Sequence, residues 1–279
     1  MRDTTPARHP QPARASGPGE GRASLPEQRG ATPLLLSISL SHFCEKARWA
    51  LDYAGIPYRE RAYLPLVHRL GTRRFGGRSV PLLACGGTVL RDSNAIIAWA
   101  DAQPGAVRLL PVRSAAASEA HELLRYLDRE LGVHARRWAY QHLLPHGALL
   151  RPCFTHRVRA PQRQLAPLVW PLARSLIRRG YRVTPANAAE SLARVSAVFD
   201  RMAERLADGR PYLIEEGFGA GDITFAALAA PLLAPEEYGG RLPPLARLPE
   251  AMRAVIGRMR AHPAGAFALG LYARHRGRR

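Results

Sequence analysis

Leu34-Leu35-Leu36-Ser37-Ile38-Ser39-Leu40-Ser41-His42-Phe43-Cys44-Glu45-Lys46-Ala47-Arg48-Trp49-Ala50-Leu51 is the stretch on which the fold turns. Residues 34–38 predict a short strand, a tight loop follows, and residues 43–54 predict a helix. Gly55-Ile56-Pro57 stops that helix, because glycine supplies a left-handed cap and proline cannot continue. Ser41 and Cys44 form an S-x-x-C step at the helix entrance. A dithiol redox protein would carry C-x-x-C there. Serine in the first position removes dithiol chemistry but leaves a hydroxyl at a helix N-terminus, where it can hold a thiolate brought by another molecule. Serine is equally the residue type that caps a helix, so the step by itself supports both roles.

Working outward, Tyr58 to Tyr63 alternates and predicts a second strand, whereas residues 64–78, with Pro65, Gly71, Gly76 and Gly77, read as irregular. Ser79-Val80-Pro81-Leu82-Leu83-Ala84 and Thr88-Val89-Leu90-Arg91 flank Cys85-Gly86-Gly87, a hairpin signal. Asp92-Ser93-Asn94 then caps a helix over 95–100. The order β-α-β-(α)-β-β-α is the thioredoxin-like arrangement. After Pro104-Gly105 strands vanish. Ser114 is expected to cap a long helix with Leu123, Leu124, Leu127 and Leu131 at helical spacing. Prolines interrupt residues 145–170, and helices are predicted at about 186–207, 220–233, 245–261 and 264–273. The chain is thus expected to hold a disordered Pro, Arg and Gly-rich extension (1–32), an α/β domain (33–104) and an all-helical domain (112–275).

The chain has 279 residues, 47% of them hydrophobic and 23% charged, which suits a globular protein with one large core or two smaller ones. Its formal net charge of +19 stands out. Lys46 is the only lysine among 41 basic residues. That imbalance points to arginine use across a GC-rich genome rather than to counterion-driven binding, which has no need to avoid lysine. No nucleic-acid motif accompanies the arginines, so no specific nucleic-acid partner is expected. Three cysteines at irregular spacing make neither a disulfide framework nor a zinc site, and a reducing cytoplasm fits them. No apolar run is long enough to span a bilayer, and the N-terminus lacks the apolar core of a secretory signal.

Four separated features resemble the glutathione transferase family over roughly residues 33–273. Ser41-His42-Phe43-Cys44 is similar to the S-x-x-C loop of theta-like and related bacterial transferases, with Ser41 in the catalytic position. Val80-Pro81 resembles the cis-proline step of the thioredoxin-like fold, Asp92-Ser93 the family's acidic-serine pair, and Phe218-Gly219-Ala220-Gly221-Asp222-Ile223 its helical-domain signature, preceded by Arg210-Pro211-Tyr212-Leu213. The resemblance implies glutathione as co-substrate. Val80 would pair with its cysteinyl unit, Ser93 and the helix N-terminus would take its γ-glutamyl carboxylate, and Asp92 would face the ammonium. Arg78, with Arg73 and His68 as rivals, would meet the glycyl carboxylate. Ser41 would donate to the thiolate, which then attacks a small hydrophobic electrophile held by the helical domain. Ser39 and Cys44 are alternatives to Ser41. A thiol near pKa 8.5 is mostly protonated at neutral pH, and lowering it by about two units corresponds to roughly 2.7 kcal/mol.

Asp222 is expected to be a structural cap rather than a catalytic group, with half of its capping box lost where Gly219 replaces the family's Ser or Thr. The resemblance implies a detoxifying homodimer, and the cysteine and histidine spacing leads to the expectation of a cytoplasmic protein without a metal. A protein of this fold that binds without turnover is the alternative. His134, His142 and His146 approach metal-ligand spacing, but Pro145 interrupts them and no carboxylate accompanies them. Leu165 to Ile177, flanked by arginines, has the composition of a surface-lying membrane helix, but such a stretch more often lines a core or a substrate pocket, so membrane association is not expected.

Overall fold

The computed structural model describes residues 32–214 and 217–277; the predicted disorder over 1–32 falls, but for residue 32, outside them. The first half runs β1 (Leu34–Ser37), α1 (His42–Tyr53), β2 (Arg59–Ala62), α2 (His68–Arg73), β3 (Leu82–Cys85), β4 (Thr88–Leu90) and α3 (Ser93–Asp101). The four strands lie in the order β2-β1-β3-β4. β2 is parallel to β1, with Leu34 opposite Arg59, and β3 is antiparallel to β1, with Leu34 opposite Ala84. β3 and β4 form the expected hairpin, with Gly86 and Gly87 at positive φ (50° and 83°), which a two-residue turn of this hand requires. Residues 64–78 are less irregular than their glycines suggest, since α2 occupies 68–73. Gly71 is needed there for space: a Cβ would sit within 3 Å of the Tyr63 ring.

The second half is all helix, as expected: α4 (Ser114–Leu127), α5 (Val133–Leu143), α6 (Gly147–Thr155), α7 (Ala160–Gln164), α8 (Ala166–Gly180), α9 (Pro185–Arg205), α10 (Ala220–Leu233), α11 (Glu250–Ala261) and α12 (Pro263–Leu271). Ser114 is the first helical residue rather than the cap, a position that Arg113 takes without a side-chain bond. α4 runs into α5 through a π-helical turn, Asp128–Gly132, and a second such turn, Tyr272–Arg276, prolongs α12. α10 is buried along nearly its whole length and packs against α1, α4, α5, α11 and α12. α1 is buried from Cys44 to Leu51 and packs against α3 and α10. A helix covered on all sides must pair its charged groups, and α1 does so. Arg48 bonds Glu60 (2.7 Å) and reaches Glu45 (3.4 Å), and Glu45 also bonds Arg276 (2.7 Å).

The stretch from Leu165 to Ile177 is not the core wall that its composition suggests. α8 buries Ala166, Ala173 and Ile177 but exposes Leu165, Leu168, Leu172 and Leu176.

Candidate active site

Ser41 stands at the N-terminus of α1 in an extended conformation (φ −71°, ψ 119°), its Oγ accepting from Cys44 N–H at 3.3 Å. Capping uses only a lone pair of the hydroxyl. The hydroxyl hydrogen remains available for a second partner, so the capping role and the donor role suit the same residue. Ser41 lines a cleft of about 170 Å³ between the two halves of the chain. Ser79, Val80 and His68 line it from the first half, and Arg136, Tyr140, Tyr181, Pro231, Leu242 and Met252 are among its walls from the second. The Val80-Pro81 peptide bond is cis.

Three side chains hold the loop before α1 in place. Tyr238 Oη donates to Leu40 O (2.9 Å), Arg48 Nη2 donates to Ile38 O (3.3 Å), and His42 Nε2 donates to Gly132 O (2.9 Å). A carbonyl can only accept, so the His42 proton sits on Nε2 and Nδ1 is left as an acceptor. Burial, and then the nearby Arg136, push the His42 imidazole down to about 3. His68 is likewise pushed down to about 4 by burial and Arg69. Both are therefore neutral at physiological pH, and among the described residues Arg136 is the single formally charged side chain lining the cleft. Its guanidinium lies 4.0 Å from the Tyr181 ring centroid and 5.6 Å from that of Phe43, and its buried Nε has no hydrogen-bond partner among the described residues.

Asp92 caps α3 through Oδ1, which accepts from Ala95 N–H at 2.8 Å, and Ser93 is buried at the first helical position. Neither is part of the cleft's lining. The N-termini of α1 and α3 are tied together from beneath. Lys46 Nζ, fully buried, donates to Asn94 Oδ1 and Asp128 Oδ1 (2.6 Å each), and Asn94 Nδ2 donates to Asp128 Oδ2 (2.7 Å). The π turn that carries Asp128 also carries Gly132, so one short segment fixes both helix starts. A Cβ on Gly132 would lie 2.5 Å from the tip of the Phe43 ring, so any larger residue there would have to displace that ring.

Other candidates sort by position. Ser39 is buried, its Oγ has no partner among the described residues, and it does not line the cleft. Cys44 is fully buried, and desolvation pushes its thiol up, so it stays protonated. Arg78 and Arg73 are exposed and outside the lining; of the three basic candidates only His68 reaches it. Asp222 accepts from Leu213 N–H (2.9 Å) and Gly219 N–H (3.0 Å), the capping geometry expected of it. Among the described residues no group of three or more His, Cys, Asp or Glu is placed to hold a metal ion. Sequence reasoning missed Arg136, Tyr140 and Tyr181, which no motif marks. It also missed the Lys46–Asn94–Asp128 tie, for which the solitary lysine was the available signal.

Residues 35–108 match the family model described as the glutathione S-transferase N-terminal domain. A search of curated protein sequences finds no significant match. Among solved structures, the chain is similar to the beta-etherase LigF from Sphingobium sp. strain SYK-6, with a TM-score of 0.55 and 19% identity over 86% of this chain and 99% of that one. It is similar to the glutathione transferase GSTFuA3 from Phanerochaete chrysosporium, with a TM-score of 0.60 and 13% identity over 87% and 96%. A glutathione-bound glutathione S-transferase from Methylobacillus flagellatus KT gives 0.51 and 16% over 86% and 93%. Identities this low speak for the fold alone, and the domain model speaks for residues 35–108. Residues 35–108 thus match a glutathione S-transferase N-terminal domain, and the chain as a whole has the glutathione transferase fold.

Proposed function

We propose that the protein is a serine-type glutathione transferase in which Ser41 donates to the thiolate of bound glutathione. The observation that carries this reading is the meeting in one cleft of the Ser41 hydroxyl, the α1 N-terminus and Val80 of the cis Val80-Pro81 step. The positive end of α1 and the hydroxyl hydrogen both favour the charged form of a thiol placed against them. The backbone of Val80 offers a short strand pairing to the cysteinyl unit. Ser93 and the α3 N-terminus serve the γ-glutamyl carboxylate, with Asp92 toward its ammonium, and His68 or Arg78 serves the glycyl end. The thiolate attacks a small electrophile whose apolar body rests against Leu143, Pro231, Leu242 and Met252. Arg136 is placed to receive negative charge. The protein works as a cytoplasmic homodimer in detoxification, with a dimer expected in sedimentation velocity.

The test is glutathione calorimetry on wild type and Ser41→Ala, with the thiolate absorbance of the bound ligand followed against pH. Wild type should bind glutathione and ionise its thiol about two units below the ordinary value near 8.5, while Ser41→Ala binds but ionises normally. Absence of glutathione binding at millimolar concentration sinks the transferase reading. Binding with an unshifted thiol in wild type turns it into a non-catalytic binder.

A further inference from the structure

α8 presents an apolar stripe to solvent. Leu165, Leu168, Leu172 and Leu176 recur every three or four residues and are 48%, 78%, 60% and 42% exposed. The opposite face is fixed on the protein by Ala166, Ala173 and Ile177, so the stripe does not turn inward. Three exposed leucines on one helix, continued by Leu165 at its N-cap, are more than scattered surface hydrophobicity. Its electrostatic setting is equally one-sided. Residues 131–189 hold ten arginines and not one aspartate or glutamate. Arg163, Arg174, Arg178 and Arg179, on and beside α8, are exposed and have no ion-pair partner among the described residues. Beside the N-terminal end of α8, Arg151, Arg157, Arg163 and Arg241 line an open depression with Pro152 and Pro167, and among the described residues no carboxylate lines it. Arg157 is engaged by Glu60; Arg151 and Arg163 have no such partner among the described residues.

We propose that this face of the protein docks on an anionic lipid surface, with the leucine stripe in the acyl boundary and the arginine-lined depression against a phosphate headgroup. Leucines on one side with arginines flanking them form the pattern of an interfacial helix. Each unpaired arginine gains from the negative potential of an acidic leaflet. A second copy of the chain is a poor occupant, because two acid-free arginine segments would face each other. Nucleic acid meets the arginines but leaves the leucines in water. The association is peripheral: among the described residues no helix is long and apolar enough to cross a membrane.

The experiment is co-sedimentation of the full chain with vesicles of equal parts phosphatidylglycerol and phosphatidylcholine, and with phosphatidylcholine alone. The variants are the pair Leu168→Gln with Leu172→Gln and the pair Arg174→Gln with Arg178→Gln. These side chains are exposed, and thermal unfolding confirms that the fold is kept. Wild type should sediment with the anionic vesicles and not the neutral ones. The leucine pair should cut partitioning at least about tenfold, since two leucines lose their apolar burial. The arginine pair should weaken binding and flatten its salt dependence. The proposal fails if wild type ignores anionic vesicles, or if the leucine pair binds them as well as wild type, which marks mere basic stickiness. It also fails if inorganic phosphate releases the chain where chloride of equal ionic strength does not, which assigns the depression to free phosphate. A wild-type self-association that the leucine pair abolishes, without vesicle binding, assigns the stripe to a second copy and overturns the proposal as well.

Discussion

Arg276 lies far from β1 in sequence yet completes the charge pairing beneath the site. Its Nε donates to Glu45 Oε1 (2.7 Å) and its Nη1 to Asp52 Oδ2 (2.8 Å), and its guanidinium carbon is 5.8 Å from the Trp49 ring centroid. The Glu45 side chain is fully buried, and that of Arg276 is 5% exposed. Arg276→Met keeps an aliphatic stem and removes the charge. Glu45 then retains the Gly239 N–H (2.9 Å) and the longer contact to Arg48 (3.4 Å). Removing one partner of a buried ion pair costs about 3–5 kcal/mol; because two partners remain, the loss should fall at the lower end, about 3 kcal/mol. Urea unfolding should show a lowered midpoint with an unchanged slope. Adding Glu45→Gln to Arg276→Met should recover part of the loss, because the amide still accepts from Gly239 and carries no charge to leave unpaired. The cycle should give a coupling of about 2 kcal/mol. A loss below about 1 kcal/mol for Arg276→Met, the range of an exposed pair, or additive single changes, would refute the claim that burial makes this pair structural.

Stability should fall on acidification through His42. An unfolded histidine takes up a proton near 6.5 while the folded one, held down to about 3, does not, so stability declines as pH falls from about 6.5 toward 3. Once well below 6.5 this one group contributes about 1.4 kcal/mol per pH unit; equal acid slopes for wild type and His42→Gln in denaturant titrations would contradict it. The three thiols should separate kinetically with a disulfide reagent. Cys85, half-exposed in the hairpin, reacts at once, while buried Cys44 and Cys153, the latter pushed up to about 11, wait for unfolding. More than one fast equivalent speaks against this. Gly219→Ser, although it restores the family's capping residue, should destabilise by about 1–3 kcal/mol in thermal or urea unfolding, because a Cβ there would lie 2.6 Å from Leu109 O. A neutral or stabilising result removes the steric explanation for this glycine.

The fold was legible where a local rule had one outcome. The apolar run at 34–38, the Gly86-Gly87 turn and the Asp92 cap each predict an element that the structure contains. Residues 64–78 were not legible, because Gly71 is present to admit the Tyr63 ring and not to break a helix. Gly219 misleads in the same way. It reads as a loss of half the capping box, whereas Ala220 N–H donates to Leu109 O at 2.7 Å and brings that carbonyl too close for any side chain. Asp222 keeps both of its backbone bonds regardless. At the candidate site, residues beside a helix start or a proline could be named from sequence. Arg136 and Tyr181 reach the same cleft from α5 and from the end of α8, and only the packing of the helical half brings them there. The α8 leucines were misjudged because helical spacing reveals that a stripe exists and not which way it faces.

The net charge needed the fold before it could be interpreted. Composition treats 41 basic side chains alike, but the structure divides them. Arg48 and Arg276 are buried in ion pairs with α1 and β2 carboxylates, while Arg137 donates to Tyr181 O, tying α5 to the end of α8, and Arg205 donates to Leu213 O, tying α9 to the segment after it. These arginines do structural work that lysine, with its single point charge, performs less well. A genome-wide preference for arginine accounts for the identity of the cation. It does not account for where the acids are missing. Spread evenly, 22 carboxylates in 279 residues would put about four or five in residues 131–189, which have none. The same segment carries the exposed leucine stripe. Segregation of charge beside an apolar face is a property of a surface, and a drift in base composition acts on codons without regard to which side of a helix they encode.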